Sequence, residues 1–301
     1  MGKTNEDCKV MGLDCFICDA NKRFERDGYF VCNDCRHEEL IDWTKQSFII
    51  NDPLKKEDIL KLTSLDNFKL SIIKKICYRD IGNFIDIGSS SGKLVFHARK
   101  YLHKVSGLEV TDECINFSKN TLGLSIIKDI CEHNENIHGG FAFHSLEHFP
   151  RKELLDTLSE LSSKMIQGGM LVVSVPNADS FQYKIFGKNF SYYDHPNHTH
   201  QFSYQSLNQL MTSNRFNQIK LLKSFQYNGF SLTQSLLNLF NEEHNYVYYR
   251  LKRKNKNKNL FADFINIVLL PICALIGYTF AIFEGLFPKR QSVLTIIYAK
   301  Q

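Results

Sequence analysis

From about residue 83 the hydrophobic pattern alternates between two periods. Short unbroken apolar runs at 83–87 (NFIDI), 105–110 (VSGLEV), 125–127, 141–146 and 170–175 (MLVVSV) predict strands buried on both faces. Between them, residues 93–102, 113–121 and 151–165 have apolar side chains at helical spacing. Thr111 and Asp112 offer an N-cap to the second of these helices, and Gly168 with Gly169 a stop for the third. Strands alternating with helices in this way predict βαβ units and a parallel sheet. A further helix is expected at 207–212, and further strands at 219–224 and 292–299 (SVLTIIYA), which brings the sheet to seven strands. Upstream, residues 59–77 have rough helical spacing, with Leu65, Phe68, Ile72 and Ile76 recurring. No repeat of ~20–50 residues is present, which excludes a solenoid or propeller.

Composition changes this picture little. Of 301 residues, 43% are hydrophobic and 23% charged, enough apolar material for a real core and too much for a disordered chain. The net charge of +5 is uneven, because residues 250–258 (RLKRKNKNK) hold six basic side chains in nine positions. That is a local patch and not a general nucleic-acid footprint. The first residues (MGKTNEDCKVMG) have neither a basic n-region nor an apolar h-region, and Glu6 stands where N-myristoylation needs Ser or Thr. A cytoplasmic, reducing setting is therefore expected.

In that setting four of the nine cysteines stand out. Cys15 and Cys18, then Cys32 and Cys35, form two CxxC pairs thirteen residues apart. Zinc takes four soft ligands in a tetrahedron, and each CxxC presents two thiolates from one tight turn. The set is closed, so a structural zinc is expected. Cys8 and His37 are spare donors. The chain reads as a zinc-ribbon module at 1–40, a helical connector at 41–80 and a large domain at 81–301.

The second chemical signal begins at Asp86. The run Asp86-Ile87-Gly88-Ser89-Ser90-Ser91-Gly92 takes a strand into a small-residue turn and then a helix, which lets a ligand approach the backbone. Glu109 follows at the end of the second strand and Asp129 after the third, about twenty residues apart in series. A carboxylate at the second position can accept hydrogen bonds from both ribose hydroxyls, and one at the third can border an adenine. The turn lacks the GxxxxGK[ST] of a P-loop and the GxGxxG of dinucleotide binding.

Together FIDIGSSSGKLV, GLEVTDECINFSKN, FAFHSLEHFP, GGMLVVSVPN and HPNHTHQFSYQSLNQLMTSNRF resemble class I S-adenosylmethionine-dependent methyltransferases, in particular the subgroup with an N-terminal zinc ribbon. The resemblance covers roughly residues 15–225 and the last strand. It implies a Rossmann-like α/β fold with a seven-stranded methyltransferase sheet. It also implies that Asp86, Gly88, Ser90 and Gly92 hold the methionine end of S-adenosylmethionine, that Glu109 binds the ribose, that Asp129 and Ile130 border the adenine, and that His144 sits at the cofactor's edge. The family's usual middle glycine is Ser90 here, and Gly139-Gly140 stands where an Asp often begins the fourth strand.

Methyl transfer to a hydroxyl or acidic carbon also needs a proton acceptor, and histidine suits that task near neutral pH. His144 and His148 flank Glu147 after the fourth strand. His195, His198 and His200 follow the fifth, with His198 and Phe202 matching the family's H-x-x-x-F-S pattern. His148 or His198 is the expected base. The alternatives are that LEH caps the next helix and that the second cluster binds a metal.

Near the end, residues 264–283 are twenty positions without a charge, flanked by the 250–258 run and by Lys289 and Arg290. Pro271 and Gly277 are expected to break the stretch into two segments. The expectation is an insertion at 250–290 lying in or re-entering an anionic membrane surface at its cytoplasmic face, with a single span and a soluble lid as alternatives. The function expected is methyl transfer to a small-molecule, glycan or lipid-linked acceptor. A nucleic-acid methyltransferase and a non-catalytic cofactor-binding module are the other readings.

Overall fold

The computed structural model describes residues 14–42, 54–76, 82–251 and 260–301. Cys8, the N-terminal segment and residues 252–258 of the basic run lie outside the described residues. In chain order the elements begin with β1 (Arg23–Arg26), β2 (Tyr29–Cys32), β3 (Glu38–Leu40), α1 (Lys56–Leu60) and α2 (Ser64–Ile76). There follow β4 (Asn83–Ile87), α3 (Lys93–Ala98), β5 (Lys104–Leu108), α4 (Asp112–Leu122), β6 (Ile126–Ile127), β7 (Ile137–Phe143), α5 (Arg151–Lys164) and β8 (Met165–Pro176). The last third holds α6 (Phe181–Phe186), β9 (His200–Gln201), α7 (Tyr204–Ser213), β10 (Phe216–Leu222), α8 (Phe225–Asn238), α9 (Tyr246–Leu251), α10 (Leu260–Glu284) and β11 (Val293–Lys300). Two units share these elements. One comprises residues 48–175, 210–221 and 295–301, the other residues 1–47, 176–209 and 222–294.

The first unit is built on a seven-stranded sheet in the order β10-β11-β8-β7-β4-β5-β6. The pairs β4–β5, β4–β7, β5–β6 and β7–β8 are parallel. The central strands are apolar because both faces are covered, so Ile85, Ile87, Phe141, Leu171 and Val173 have no exposed surface. Leu154, Leu158 and Leu161 place the buried stripe of α5 at helical spacing. The Gly139-Gly140 pair of β7 has a packing reason. A Cβ at Gly139 would lie 3.0 Å from the Met170 carbonyl oxygen and 3.2 Å from the Phe84 ring, and one at Gly140 would lie 3.1 Å from Ile85.

Three local expectations need correction. The single helix expected over 59–77 is two, because Thr63 and Asp66 form a reciprocal cap: Thr63 N and Oγ1 both donate to Asp66 Oδ2 at 2.9 Å, and Asp66 N donates back to Thr63 Oγ1 at 3.1 Å. Helix α5 stops before the glycine pair, at Lys164, and β8 already begins at Met165. Gly168 and Gly169 lie inside that strand, where the register against β7 shifts between Ile137↔Met165 and Gly139↔Met170. Third, Pro271 and Gly277 do not divide the apolar stretch, since α10 runs unbroken through both.

The second unit holds an antiparallel sheet, β1-β2-β3-β9. Asp27 and Gly28 join β1 to β2 with both residues at positive φ, the two-residue loop that matches strand twist. The final strand comes from far along the chain, with Glu38 opposite Gln201 and Glu39 opposite His200. Helix α8 is buried almost all round and is polar. Its Ser231 hydroxyl lies 2.9 Å from that of Ser191, and its Asn228 Nδ2 donates to Gln291 Oε1 at 3.1 Å. Helix α10 packs along α8.

Candidate active site and cysteine centre

In the sheet unit the strand ends carry the predicted cofactor residues. Asp86 is the penultimate residue of β4, Glu109 follows β5, and Asp129 lies two residues beyond β6. Since β4, β5 and β6 are neighbours, the three acids stand at the carboxyl ends of three successive parallel strands. The turn after β4 is shaped by Gly88 (φ 75°), Ser90 (φ 48°) and Gly92 (φ 74°). Gly88 and Ser89 both donate their N–H to the Leu108 carbonyl, at 2.9 and 3.0 Å, which locks the turn onto β5. A Cβ at Gly88 would lie 2.4 Å from the Ser145 Cβ, so only glycine lets this turn meet the loop after β7. Ser90 adopts a left-handed backbone, which glycine would adopt without cost.

Glu109 is buried and strongly oriented. Its Oε2 accepts from Ser90 N at 2.7 Å, and its Oε1 accepts from Val110 N at 3.0 Å and Thr111 N at 2.8 Å. The carboxylate is thus fixed by backbone donors from both strand ends. Burial pushes the Asp86 carboxyl up to about 7, a shift that the Lys69 ammonium opposes and the Glu109 charge reinforces. Lys69, on α2, lies 5.4 Å from the centroid of the Phe143 ring, and its charge is felt at both Asp86 and His144. The sequence reading missed this residue. The available signal was its position one turn before Ile72 and Ile73, in line with the buried face of α2.

Asp129 is exposed and caps the short turn Ile130–Glu132, accepting from Cys131 N at 2.8 Å, while Glu132 Oε1 accepts from Asp129 N at 3.0 Å. That hydrogen bond holds the Asp129 carboxyl below its usual range. Ile130 is buried beside it. After β7, His144 sits at φ 55°, with its N–H donated to the Ser174 carbonyl at 2.8 Å. Its Nδ1 lies 3.4 Å from Glu147 Oε1, and Glu147 is itself buried. Burial pulls the His144 imidazole below its ordinary pKa, against the pull of Glu147. His148 ends the turn Leu146–His148. These groups suit a ligand rich in hydroxyl and ammonium donors. Ser89 Oγ in the turn after β4 and Ser145 Oγ in the loop after β7, both buried, have no hydrogen-bond partner among the described residues.

His198 belongs to the other unit. Its N–H donates to the Asp194 carbonyl at 2.8 Å, and its carbonyl accepts from Tyr29 Oη at 2.9 Å. In the same unit the two CxxC pairs come together. Sγ of Cys15 and Cys35 are 3.7 Å apart, those of Cys18 and Cys32 3.6 Å, and all four lie within 4.8 Å of one another. A tetrahedral zinc with bonds of about 2.3 Å needs sulfur separations of about 3.8 Å, so the set fits that metal. The two knuckles repeat one geometry, each with a left-handed residue four positions after its first cysteine: Asp19 (φ 58°) and Arg36 (φ 60°). His37 is not among the four. Its Nε2 lies 3.2 Å from His200 Nδ1.

No family model matches the chain, and no curated protein matches its sequence. Solved structures do. A protein described as a sarcosine dimethylglycine methyltransferase from Galdieria sulphuraria aligns over 86% of this chain and 95% of its own, with a TM-score of 0.51 at 12% identity. The fold is the Rossmann-like methyltransferase fold. An S-adenosylmethionine-dependent methyltransferase from Archaeoglobus fulgidus aligns over 81% of this chain and 97% of its own, with a TM-score of 0.46 at 16% identity. The [4+2]-cyclase SpnF aligns over 78% of this chain and 80% of its own, with a TM-score of 0.48 at 12% identity.

Proposed function

We propose that the chain is an S-adenosylmethionine-dependent methyltransferase with a structural zinc ribbon. The observation that carries this reading is the Glu109 carboxylate, held by three backbone N–H groups at the end of the strand next to the Gly88–Gly92 turn. When bound, S-adenosylmethionine supplies an activated methyl group on a sulfonium, so the protein's task is alignment and, for a hydroxyl acceptor, proton removal. In this reading Glu109 binds the ribose through the acceptor site its backbone donors leave open on Oε2, and its fixed geometry spares the entropy of orienting it. Asp86 and the backbone of Gly88, Ser90 and Gly92 receive the methionine end, where Lys69 offers a positive charge to a carboxylate. Asp129 and Ile130 border the adenine. His144 lines the edge of that site, kept neutral by burial, and His148 or His198 takes the acceptor's proton. Cys15, Cys18, Cys32 and Cys35 hold the zinc, which closes the ribbon and takes no part in the transfer.

The acceptor is a small molecule, a glycan or a lipid-linked compound. The lipid-linked case draws support from the apolar outer face of α10, and in that reading the enzyme works at the cytoplasmic side of a membrane. Calorimetric titration with S-adenosylhomocysteine tests the core of the proposal. Wild-type protein is expected to bind, and Glu109→Ala to bind more than about tenfold more weakly, through the loss of a charge-assisted hydrogen bond and of the carboxylate that fixes the turn. No heat of binding by the wild type would overturn the assignment. Isotope transfer from labelled cofactor into lipid, glycan and nucleic-acid extracts then identifies the acceptor class.

A further inference from the structure

Helix α10 has two faces of opposite character. One follows Asn266, Cys273, Gly277, Ala281 and Glu284 at helical spacing and is buried. The pass against α8 is close. A Cβ on Gly277 would lie 2.5 Å from Thr233 Oγ1 and 2.8 Å from the Gly229 carbonyl oxygen, and one on Gly229 would lie 2.5 Å from the Tyr278 ring. The polar groups of this face find partners inside the unit, apart from one buried carboxylate oxygen of Glu284. Asn266 and Asn241 exchange amide hydrogen bonds at 2.7 and 3.0 Å, Asp263 accepts from Arg250 at 2.9 Å and from Tyr246 Oη at 2.8 Å, and Glu284 accepts from Gln182 at 2.7 Å. The other face is the reverse. Phe264, Ile267, Leu275, Ile282 and Phe283 point outward, Ile267 and Leu275 with 72% of their surface exposed, and no charged residue interrupts them. A continuous bare surface of this kind marks an interaction site on a folded protein.

Three observations choose the occupant. Basic residues bracket the helix in sequence: Lys252, Arg253, Lys254, Lys256 and Lys258 before it, Lys289 and Arg290 after it. Two copies facing each other across α10 would set basic run against basic run, or basic run against Lys289 and Arg290, in either orientation. Anionic headgroups answer the run before the helix and Lys289 after it, while Arg290 is already paired with Asp179. Second, α10 has 25 residues, about 37 Å, enough to cross a hydrocarbon core of about 30 Å. The helix it is packed on cannot follow it, since α8 has 14 residues, about 21 Å, and buries Asn228, Gln234 and Asn238. Third, polar partners near both ends of the buried face tie α10 to α6, to α9 and to Asn241 just beyond α8, so the helix stays part of the unit.

We infer that α10 binds an anionic phospholipid bilayer by lying in the plane of one leaflet, its Phe264–Phe283 face among the acyl chains and its basic flanks on the headgroups. The inference does not depend on methyl transfer. The helix is a monotopic anchor: its buried polar stripe stays with protein, and only the charge-free face leaves water.

Flotation with vesicles of phosphatidylcholine, with and without phosphatidylglycerol, tests the binding. Wild-type protein is expected to float with the anionic vesicles and to detach as salt rises. Ile267→Glu with Leu275→Glu should weaken binding by more than about tenfold and leave both thermal melting and S-adenosylhomocysteine titration unchanged, because both side chains face outward. Brominated lipids test the geometry, with single tryptophans at Phe264, Leu275 and Ile282 in a Trp43→Phe chain. Equal, shallow quenching at the three positions is the expected result. A profile deepest at Leu275 would mean a span and would overturn the proposal. So would absence from both vesicle types at low salt, or a stable dimer whose contacts exclude lipid.

Discussion

At the scale of single residues, Asp86 links stability to pH. Burial places its carboxyl at about 7 against an ordinary 3.8, so the folded chain keeps a proton that the unfolded chain loses. The stability this residue permits is therefore fully present below about pH 4 and declines as pH rises toward 7. Asp86→Asn removes the slope. The variant is expected to match the wild type in denaturant melts near pH 4 and to exceed it near pH 8 by on the order of 1–4 kcal/mol, while losing cofactor affinity. A difference that stayed constant with pH would mean that Asp86 is already ionised in the fold. Ser90 shows the same site from the backbone side. It keeps the left-handed conformation of a glycine, so the turn's shape is set by its bonds to Leu108 and Glu109, and side-chain freedom does not dictate it.

At the scale of elements, the two faces of α10 should respond oppositely to substitution. Gly277→Val puts carbon against Thr233 and the Gly229 backbone, where even a Cβ would lie below 3 Å, and should cost more than about 2 kcal/mol in chemical denaturation. An equally stable Gly277→Val protein would show that the two helices are not packed this closely. The ribbon offers a second test. Strand β9 pairs with β3, Leu40 N donates to Thr199 O at 2.8 Å, and Ser203 Oγ donates to the Cys35 carbonyl at 2.5 Å. If the four thiols hold zinc as proposed, removing it with a chelator should therefore speed amide exchange at 199–203 as well as at 38–40, by more than about tenfold. Exchange confined to the cysteine knuckles would separate the loop from the metal.

At the scale of the whole molecule, the chain's order and its contacts diverge. The unit holding the cysteine centre is drawn from residues 1–47, 176–209 and 222–294. Within it, Glu38 Oε2 accepts from Tyr183 Oη at 2.8 Å, and buried Arg23 pairs with Glu39 at 2.9 Å. The strands at 23–40 thus share a core with segments far downstream. Much of this molecule was legible beforehand. The NFIDI and MLVVSV runs announced buried parallel strands, and the CxxC spacing announced a four-sulfur centre. Other features were hidden for physical reasons. The Thr63–Asp66 cap splits a stretch whose apolar spacing runs straight through it. Pro271 sits inside a helix whose neighbours hold it together on the packed side. Lys69 reads as one more surface lysine until β7 supplies the Phe143 ring beneath it.

Periodicity, turn chemistry and ligand spacing determined the element types, the strand ends that bear Asp86, Glu109 and Asp129, and the four thiols, because each depends on residues near one another in the chain. Which strands became neighbours was decided only in three dimensions. β11, from the last residues, enters the sheet between β10 and β8, and His200–Gln201 completes the sheet begun at Arg23. Local pattern encodes which face of an element is buried. The partner that buries it is selected by long-range packing, and no stretch of sequence carries that information alone.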